Sequence, residues 1–262
     1  MTDESYGFII DNMLWSFSRL SSFDDCPYCW KRTYIDCEEK MGNAFASYGT
    51  LMHSTLEKYE KGALSIFDIS QHWIDNFNDA IPEDFPPNKY VNLRDKYYEQ
   101  GLDYLDNLDL NLEQYEVLGV EKEVRFEIAG KPFIGFIDLL LKDKETGEII
   151  VADHKSASLK FKKSGEISKS GEAHFLSFKR QLYLYCKPLI EQGMKVDHLM
   201  WNLFRERKYL KIPFNQSEYE EAINWASDTI ATIEKEELWL PNPDFYRCHN
   251  ICDHRCFCEY KG

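Results

Sequence analysis

The stretch GFIDLLLKDKETGEIIVADHK, residues 135–155, decides the fold. Two apolar runs rich in Ile, Leu and Val flank a short polar connection that contains a glycine, and this pattern predicts two neighbouring strands of a hairpin. Successive side chains alternate along a strand. Asp153 and Lys155 are therefore expected on one face, while His154 turns away and leaves its backbone carbonyl beside them.

Asp138 on the first of these strands is expected to lie across from Asp153. Two carboxylates a few ångströms apart repel each other unless a cation lies between them, and hard oxygen ligands suit Mg²⁺ or Mn²⁺. The stretch therefore predicts a site for metal-assisted hydrolysis of phosphodiester bonds. The alternative is that these charges are ordinary solvated strand ends, because a D-x-K triplet is common by chance.

The composition indicates a folded globule. The chain has 262 residues, of which 44% are hydrophobic and 15% aromatic, enough for one large domain or a domain with an insertion. The formal net charge of −14 argues against indiscriminate nucleic-acid binding. The segment from Lys155 to Arg180 nevertheless carries seven Lys or Arg against two Glu, which is compatible with a substrate groove beside the metal site.

No targeting or membrane segment is visible in the sequence. No apolar run approaches the ~18 residues that span a bilayer, and the N-terminus lacks the basic start of a signal peptide. A cytoplasmic location without membrane contact is therefore expected. Eight cysteines in a reducing compartment are not expected to form four disulfides, so their clustering needs another explanation.

The first part of the chain is predicted to be helical from residue 16 onward. Residues 1–14 show little periodicity, whereas Ser16 or Ser18 can cap a helix. A second helix is predicted to begin at Gly49 and to carry His53 beside apolar residues. His53 is either a packed core residue or a metal ligand through its neutral imidazole, a role that suits Mn²⁺ better than Mg²⁺.

The middle of the chain is predicted to change from helices to strands. Residues 54–112 form a helical insertion, broken at 81–88 by three prolines. A half-exposed strand over 117–128 follows, and its Glu121 and Glu123 are interpreted as ordinary solvent-facing positions, with orientation of the site as the alternative. A turn at residues 129–131 leads into the strand that carries Asp138.

A second half of alternating helices and strands is predicted after Lys155. A basic loop leads to a helix over 173–189 that presents Gln181 and Tyr185 on one face, because they are four residues apart. A closing hairpin and a long amphipathic helix over 217–236 complete the predicted elements.

Cysteines cluster at both ends of the chain. Cys26 and Cys29 form a C-x-x-C, a spacing that can chelate a metal but also arises by chance. The tail carries four more cysteines, at positions 248, 252, 256 and 258. Thiolates so arranged bind a soft metal, either Zn²⁺ or an iron–sulfur cluster.

Six short motifs in this order resemble the PD-(D/E)XK nuclease superfamily, and within it the RecB-like exonucleases that include the four-cysteine CRISPR-associated exonucleases and the AddB nuclease domain. They are S-x-S-R-L…C-P from Ser16 to Pro27, G-x-x-x-H ending at His53, G-x-x-D ending at Asp138, D-x-K at 153–155, Q-x-x-x-Y at 181–185, and the cysteines of the tail. The resemblance covers nearly the whole chain. It implies a restriction-endonuclease-like α/β fold: one domain, 1–262, with a central mixed sheet flanked by helices and a Cys-rich tail, 246–262, packed against 15–37.

The resemblance also implies roles for individual residues. The residues with catalytic roles would be Asp138, Asp153, Lys155, Gln181 and Tyr185. One or two Mg²⁺ or Mn²⁺ ions would be held by His53, Asp138, Asp153 and the carbonyl of His154. Lys155 would orient water or stabilise the transition state, supported by Gln181 and Tyr185. A [4Fe–4S] cluster would be held by Cys26, Cys248, Cys252 and Cys258, with Cys256 in reserve because the tail spacing departs from the family pattern, and with Zn²⁺ as the alternative.

The implied activity is that of a metal-dependent DNA exonuclease in phage, repair or recombination processes. No nucleotide-binding G-x-x-x-x-G-K-[ST] motif is present, so a helicase activity would need a partner protein. Two further hypotheses are open: a metal-stapled DNA-binding subunit with weak or no nuclease activity, and a zinc-binding interaction module.

Overall fold

The chain is described by a computed structural model at residues 4–110 and 112–261. Residues 1–3, 111 and 262 lie outside the described residues, although the predicted domain 1–262, insertion 54–112 and tail 246–262 include them. The described helices are α1 (Glu4–Asp11), α2 (Phe17–Asp25), α3 (Pro27–Tyr34), α4 (Ala44–Glu60), α5 (Ile69–Ala80), α6 (Leu93–Asp106), α7 (Lys169–Glu191), α8 (Gln216–Ile233) and α9 (Phe245–Asn250). The strands are β1 (Tyr115–Ile128), β2 (Lys131–Asp143), β3 (Ile149–Lys155), β4 (His198–Leu203) and β5 (Lys208–Pro213).

These strands form one mixed sheet in the order β1-β2-β3-β4-β5. The pair β3–β4 is parallel and the other three pairs are antiparallel. Parallel neighbours need a crossover connection, and α7 supplies it. Between β1 and β2, Ala129 and Gly130 have φ of +51° and +72°, which makes the tight turn predicted there. The predicted α/β class, with its central mixed sheet flanked by helices, is confirmed.

Two large hydrophobic clusters hold the helices in place. One joins the sheet to α2, α7 and α8 through residues such as Val151, Leu182 and Ile230. The other unites α4, α5 and α6 around Trp73, and it includes Phe204, which directly follows β4. The helices of residues 44–106 thus have a core of their own that is anchored beside the end of a central strand.

Two helices begin earlier than predicted, and a third was not predicted. Residues 4–11 are helical although their sequence is only weakly periodic, and α7 begins at Lys169 rather than at residue 173. Helix α4 begins at Ala44, because the side chain of Asn43 caps it by accepting a hydrogen bond from the backbone of Ala46. Gly49 therefore lies inside the helix rather than at its start. A Cβ there would lie 2.9 Å from Oγ of Ser156, so the glycine permits a close approach to the loop after β3.

The cysteine-rich tail packs against the first part of the chain. Oγ1 of Thr33 lies 2.9 Å from Nε2 of His254, and the hydroxyl of Tyr28 donates to Glu259 over 3.1 Å. The indole rings of Trp30 and Trp239 stack at 5.4 Å. These contacts bring the two ends of the described chain together.

None of the helices within residues 4–110 and 112–261 combines the length and apolar character needed to cross a bilayer.

Candidate active site

Asp138 and Asp153 meet at the end of the antiparallel pair β2–β3. Leu139 pairs with Ala152 in this antiparallel pair. Asp138 and Asp153, the next residues toward the same end of the sheet, therefore lie opposite each other. The backbone N–H of His154 donates to Oδ2 of Asp138 over 2.7 Å. Both carboxylates are buried. The predicted meeting of the two strand ends is therefore what the register produces.

Lys155 lies between Asp153 and helix α7. Its Nζ is 2.7 Å from Oδ2 of Asp153 and 2.6 Å from Oε1 of Gln181. Tyr185, one turn further along α7, is buried and packs over Gly135, where a Cβ would come within 2.4 Å of its ring. The glycine therefore allows α7 to approach β2 closely enough for Gln181 to reach the lysine.

A carboxylate from β1 joins the site. Nδ1 of His53 lies 3.4 Å from Oδ2 of Asp138, and one ligand atom each of His53, Glu121 and Asp138 lie within 4.8 Å of one another. Glu121 has a φ of +49° and stands between the pairs Val120–Leu139 and Lys122–Ile137, so it faces Asp138. The sequence favoured an ordinary solvent-facing position for Glu121, with orientation of the site as the alternative. The left-handed backbone at this residue directs its side chain toward the site instead. No sequence motif predicts that backbone conformation.

The electrostatics of this cluster favour a bound cation. Burial and the nearby charge of Asp153 raise the pKa of Asp138 to about 7. Burial and the charge of His154 lower the pKa of His53 to about 4, so its imidazole is neutral at pH 7 and can offer a lone pair. Carboxylate oxygens with one neutral imidazole are donors that fit Mn²⁺ and, through the oxygens, Mg²⁺.

His154 directs its side chain away from the carboxylates, as predicted. Its Nε2 lies 2.8 Å from Oε1 of Glu60, the last residue of α4, and its Nδ1 lies 2.9 Å from Nδ2 of Asn202 on β4. Burial alone would lower the pKa of His154, but the charge and hydrogen bond of Glu60 raise it to about 9. Neither Glu60 nor Asn202 was identified from the sequence, because each is an isolated polar residue outside any motif.

The cysteines of the two chain ends line a second site. A cavity of about 350 Å³ is bordered by Cys26, Cys29, Cys248 and Cys252, among other residues. Sγ of Cys29 lies 3.4 Å from Sγ of Cys252, although the two are 223 residues apart in sequence. Three of the four cysteines assigned by the resemblance are thus together. The fourth, Cys258, is half-buried near Tyr28 and Arg32 and is not among the residues that line the cavity.

The thiols of this cavity have strongly perturbed acidities. The hydrogen bonds that Cys29 donates lower the pKa of Cys26 to about 5 and that of Cys252 to about 6, and the same two contacts raise the pKa of Cys29. Backbone N–H groups of Asn242 and His254 also point at these two sulfurs, each over 3.4 Å. Stabilised thiolates are the form in which cysteine binds metals. Cys256 is exposed and Cys37 lies elsewhere on the surface.

Comparisons with known proteins agree on the fold. A solved structure of a proposed exonuclease from Eubacterium rectale matches with a TM-score of 0.55 at 16% identity, over 98% of this chain and 92% of that chain. A second solved structure, SSO0001, matches with a TM-score of 0.34 at 16% identity, over 74% of this chain and 98% of that chain. No curated protein matches the sequence.

The fold and the D…D-x-K site define a restriction-endonuclease-like nuclease. The family model of the PD-(D/E)XK nuclease superfamily matches residues 14–259, which is most of the chain. The chain belongs to the PD-(D/E)XK nuclease superfamily. Nucleases of this superfamily use divalent metals, and this chain carries the carboxylate and histidine cluster described above.

Proposed function

We propose that the chain is a divalent-metal-dependent deoxyribonuclease that acts as an exonuclease on DNA ends or single strands. The observation that carries the proposal is the arrangement of the D…D-x-K residues, in which the N–H of His154 donates to Asp138 and the ammonium of Lys155 contacts both Asp153 and Gln181. The exonuclease mode is supported by the resemblance of the motifs and by the description of the Eubacterium rectale protein.

Asp138, Asp153, Glu121, His53 and the carbonyl of His154 are the groups proposed to hold Mg²⁺ or Mn²⁺. Such an ion supplies Lewis-acid polarisation of the phosphate and a bound water of lowered pKa. The N–H of His154 keeps Asp138 oriented through its 2.7 Å hydrogen bond.

Lys155 is proposed to stabilise the negative charge that develops on the phosphate. Its ammonium is held by Asp153 and Gln181, so it needs little reorganisation when the charge appears. Tyr185 supports this arrangement by packing α7 against β2 at Gly135. The exposed lysines of the loop after β3, Lys160, Lys162 and Lys163, are available to contact a phosphodiester backbone.

We also propose that the cysteine cavity binds a soft metal centre, a [4Fe–4S] cluster or Zn²⁺, that joins the chain ends. Cys26, Cys248 and Cys252 are proposed as three of its ligands, because the resemblance implies them and all three line the cavity. For the fourth, the contact between Cys29 and Cys252 supports Cys29, whereas the resemblance supports Cys258. A helicase or recombination partner would supply any motor activity.

The experiment that tests the function is degradation of end-labelled single- and double-stranded DNA with Mg²⁺ or Mn²⁺, after anaerobic purification. Asp153→Ala should abolish metal-dependent degradation and Lys155→Ala should lower it on the order of 10²-fold or more, whereas replacement of Lys195, an exposed lysine at the opposite end of the sheet, by alanine should leave it unchanged. Closed circular DNA should resist an exonuclease. A folded wild-type chain that degrades none of these substrates would contradict the proposal and favour a DNA-binding subunit.

A further inference from the structure

A buried polar network lies beneath the D-x-K strand and is separate from the groups that face the proposed metal. The carboxylate of Glu60, with a side chain only 1% exposed, lies 2.8 Å from Nε2 of His154, whose side chain is 4% exposed. Burying a charged group is costly unless it is paired and hydrogen-bonded. A buried carboxylate at this position therefore needs a reason beyond filling space.

The other side of the imidazole is also held. Nδ2 of Asn202 lies 2.9 Å from Nδ1 of His154 and 2.6 Å from the hydroxyl of Tyr104, and Asn202 is itself buried. The ring is thus held between the end of α4 and strand β4. Its rotation about the side-chain bonds and its position relative to the helices are both restricted.

The backbone of His154 contacts the carboxylate site, whereas its side chain points away from Asp138 and Asp153. Its N–H donates to Asp138, and its carbonyl is one of the proposed metal ligands. Asp153 and Lys155 are its direct neighbours in the chain. A displacement of the imidazole therefore moves the backbone N–H of His154, which contacts Asp138. It also moves the side chains of Asp153 and Lys155, which contact each other.

We propose that Glu60 is a positioning residue that acts through His154 to hold the carboxylates of Asp138 and Asp153 in the geometry that binds a divalent cation. The proposal rests on the proposed function, because it assigns Glu60 to the same metal site. Residues that orient the ligands of a metal commonly change its affinity or the activity by about 10–100-fold when they are removed. Glu60 contributes no atom to the cation and none to the substrate.

The test is Mn²⁺ binding measured by calorimetry without DNA, together with DNA cleavage as a function of Mn²⁺ concentration. Glu60→Ala should raise the dissociation constant for Mn²⁺ and the half-saturating Mn²⁺ concentration by about tenfold or more, with the KM for DNA unchanged. Glu60→Gln should restore most of the affinity, because its amide oxygen can still accept from Nε2–H of His154. Glu60→Asp shortens the side chain and draws the carboxylate back from His154, so its dissociation constant for Mn²⁺ should lie between those of the other two variants. It replaces the alanine variant if that variant does not fold.

The matched control is Asp143→Asn at the far end of β2. Asp143 is also a buried carboxylate, and it accepts hydrogen bonds from the backbone of Glu145 and Thr146 over 2.9 Å. Its replacement should lower thermal stability without changing Mn²⁺ affinity. If the folded Glu60 variants bind Mn²⁺ as tightly as wild type, the positioning role is refuted. If wild type binds Mn²⁺ but cleaves no DNA, the nuclease proposal fails while the calorimetric comparison still decides the role of Glu60.

Discussion

The carboxylate site and the cysteine cavity are built in opposite ways. Asp138, Asp153 and Lys155 lie on adjacent strands, where backbone register sets their distances and neighbouring protein groups already pair with them. The cavity joins Cys29, on the short helix α3, to Cys252, which lies 223 positions away and just after the short helix α9. The sheet organises the carboxylate site before any ion binds. The cysteine cavity, in contrast, depends on a metal bound by its thiolates to keep the two chain ends together.

The largest expected effect concerns the chemistry of the carboxylate site. Lys155→Ala should lower the turnover of DNA cleavage on the order of 10²-fold or more, because it removes a preorganised charge from the transition state. The metal content of the cysteine cavity should not change, which separates the two regions. Steady-state cleavage rates and metal analysis of the same sample measure both. Loss of the cysteine-bound metal in this variant would show that the two regions are coupled.

Acidification should affect the carboxylate site before the cysteine cavity. Asp138 has a raised pKa of about 7, so below that pH a proton occupies the carboxylate that the cation requires. The apparent affinity for Mn²⁺ should therefore fall by about tenfold for each pH unit below 7 and level off above it. The metal of the cysteine cavity should persist at pH 6.5, because coordination to a metal itself keeps thiols deprotonated. Calorimetric Mn²⁺ titrations between pH 5.5 and 8 test this order, and a pH-independent affinity would contradict it.

Loss of the cysteine-bound metal should act on stability. Cys252→Ser should remove the link between the chain ends, and a cross-link that closes a long loop is worth about 2–4 kcal/mol. At about 2–4 °C per kcal/mol for a chain of this size, the Tm should fall by about 5–15 °C. Differential scanning calorimetry measures the change, and Cys256→Ser is the control because Cys256 is exposed.

The fourth thiolate can be identified by comparing two single variants. Cys29→Ser should lose the bound metal and Cys258→Ser should retain it, because Cys29 contacts Cys252 within the cavity. Iron and zinc contents after anaerobic purification distinguish a cluster from Zn²⁺. The reverse pattern would restore the assignment of Cys258 that the family resemblance implies.

The smallest expected effect is at Gly135. In Gly135→Ala the new Cβ would lie 2.4 Å from the ring of Tyr185, so α7 must shift away from β2 at a cost of about 1–3 kcal/mol. The same shift should weaken the contact between Gln181 and Lys155 and lower turnover. Gly7→Ala in α1, where a Cβ meets nothing within 4 Å, is the matched control and should be neutral or slightly stabilising. Unfolding midpoints and cleavage rates of both variants provide the comparison.

The sequence by itself determined the hairpin of residues 135–155, because two apolar runs separated by a short polar turn are a local property of the chain. It also determined that Asp153 and Lys155 share a face and that His154 does not. The match of residues 14–259 to the superfamily agrees with the order of the motifs. The prediction of strand ends that bring Asp138 to Asp153 needed only the register of one hairpin.

Only the tertiary structure decided which other residues join these sites. Glu121 reaches the carboxylate site because its own backbone is left-handed, and Glu60 contacts His154 because the end of α4 lies beside β3. Cys29 contacts Cys252 because the two ends of the chain meet. Each contact joins elements that are distant in the sequence. Local periodicity carries no information about such distances, because they are set by how the helices and the sheet bury their apolar faces together.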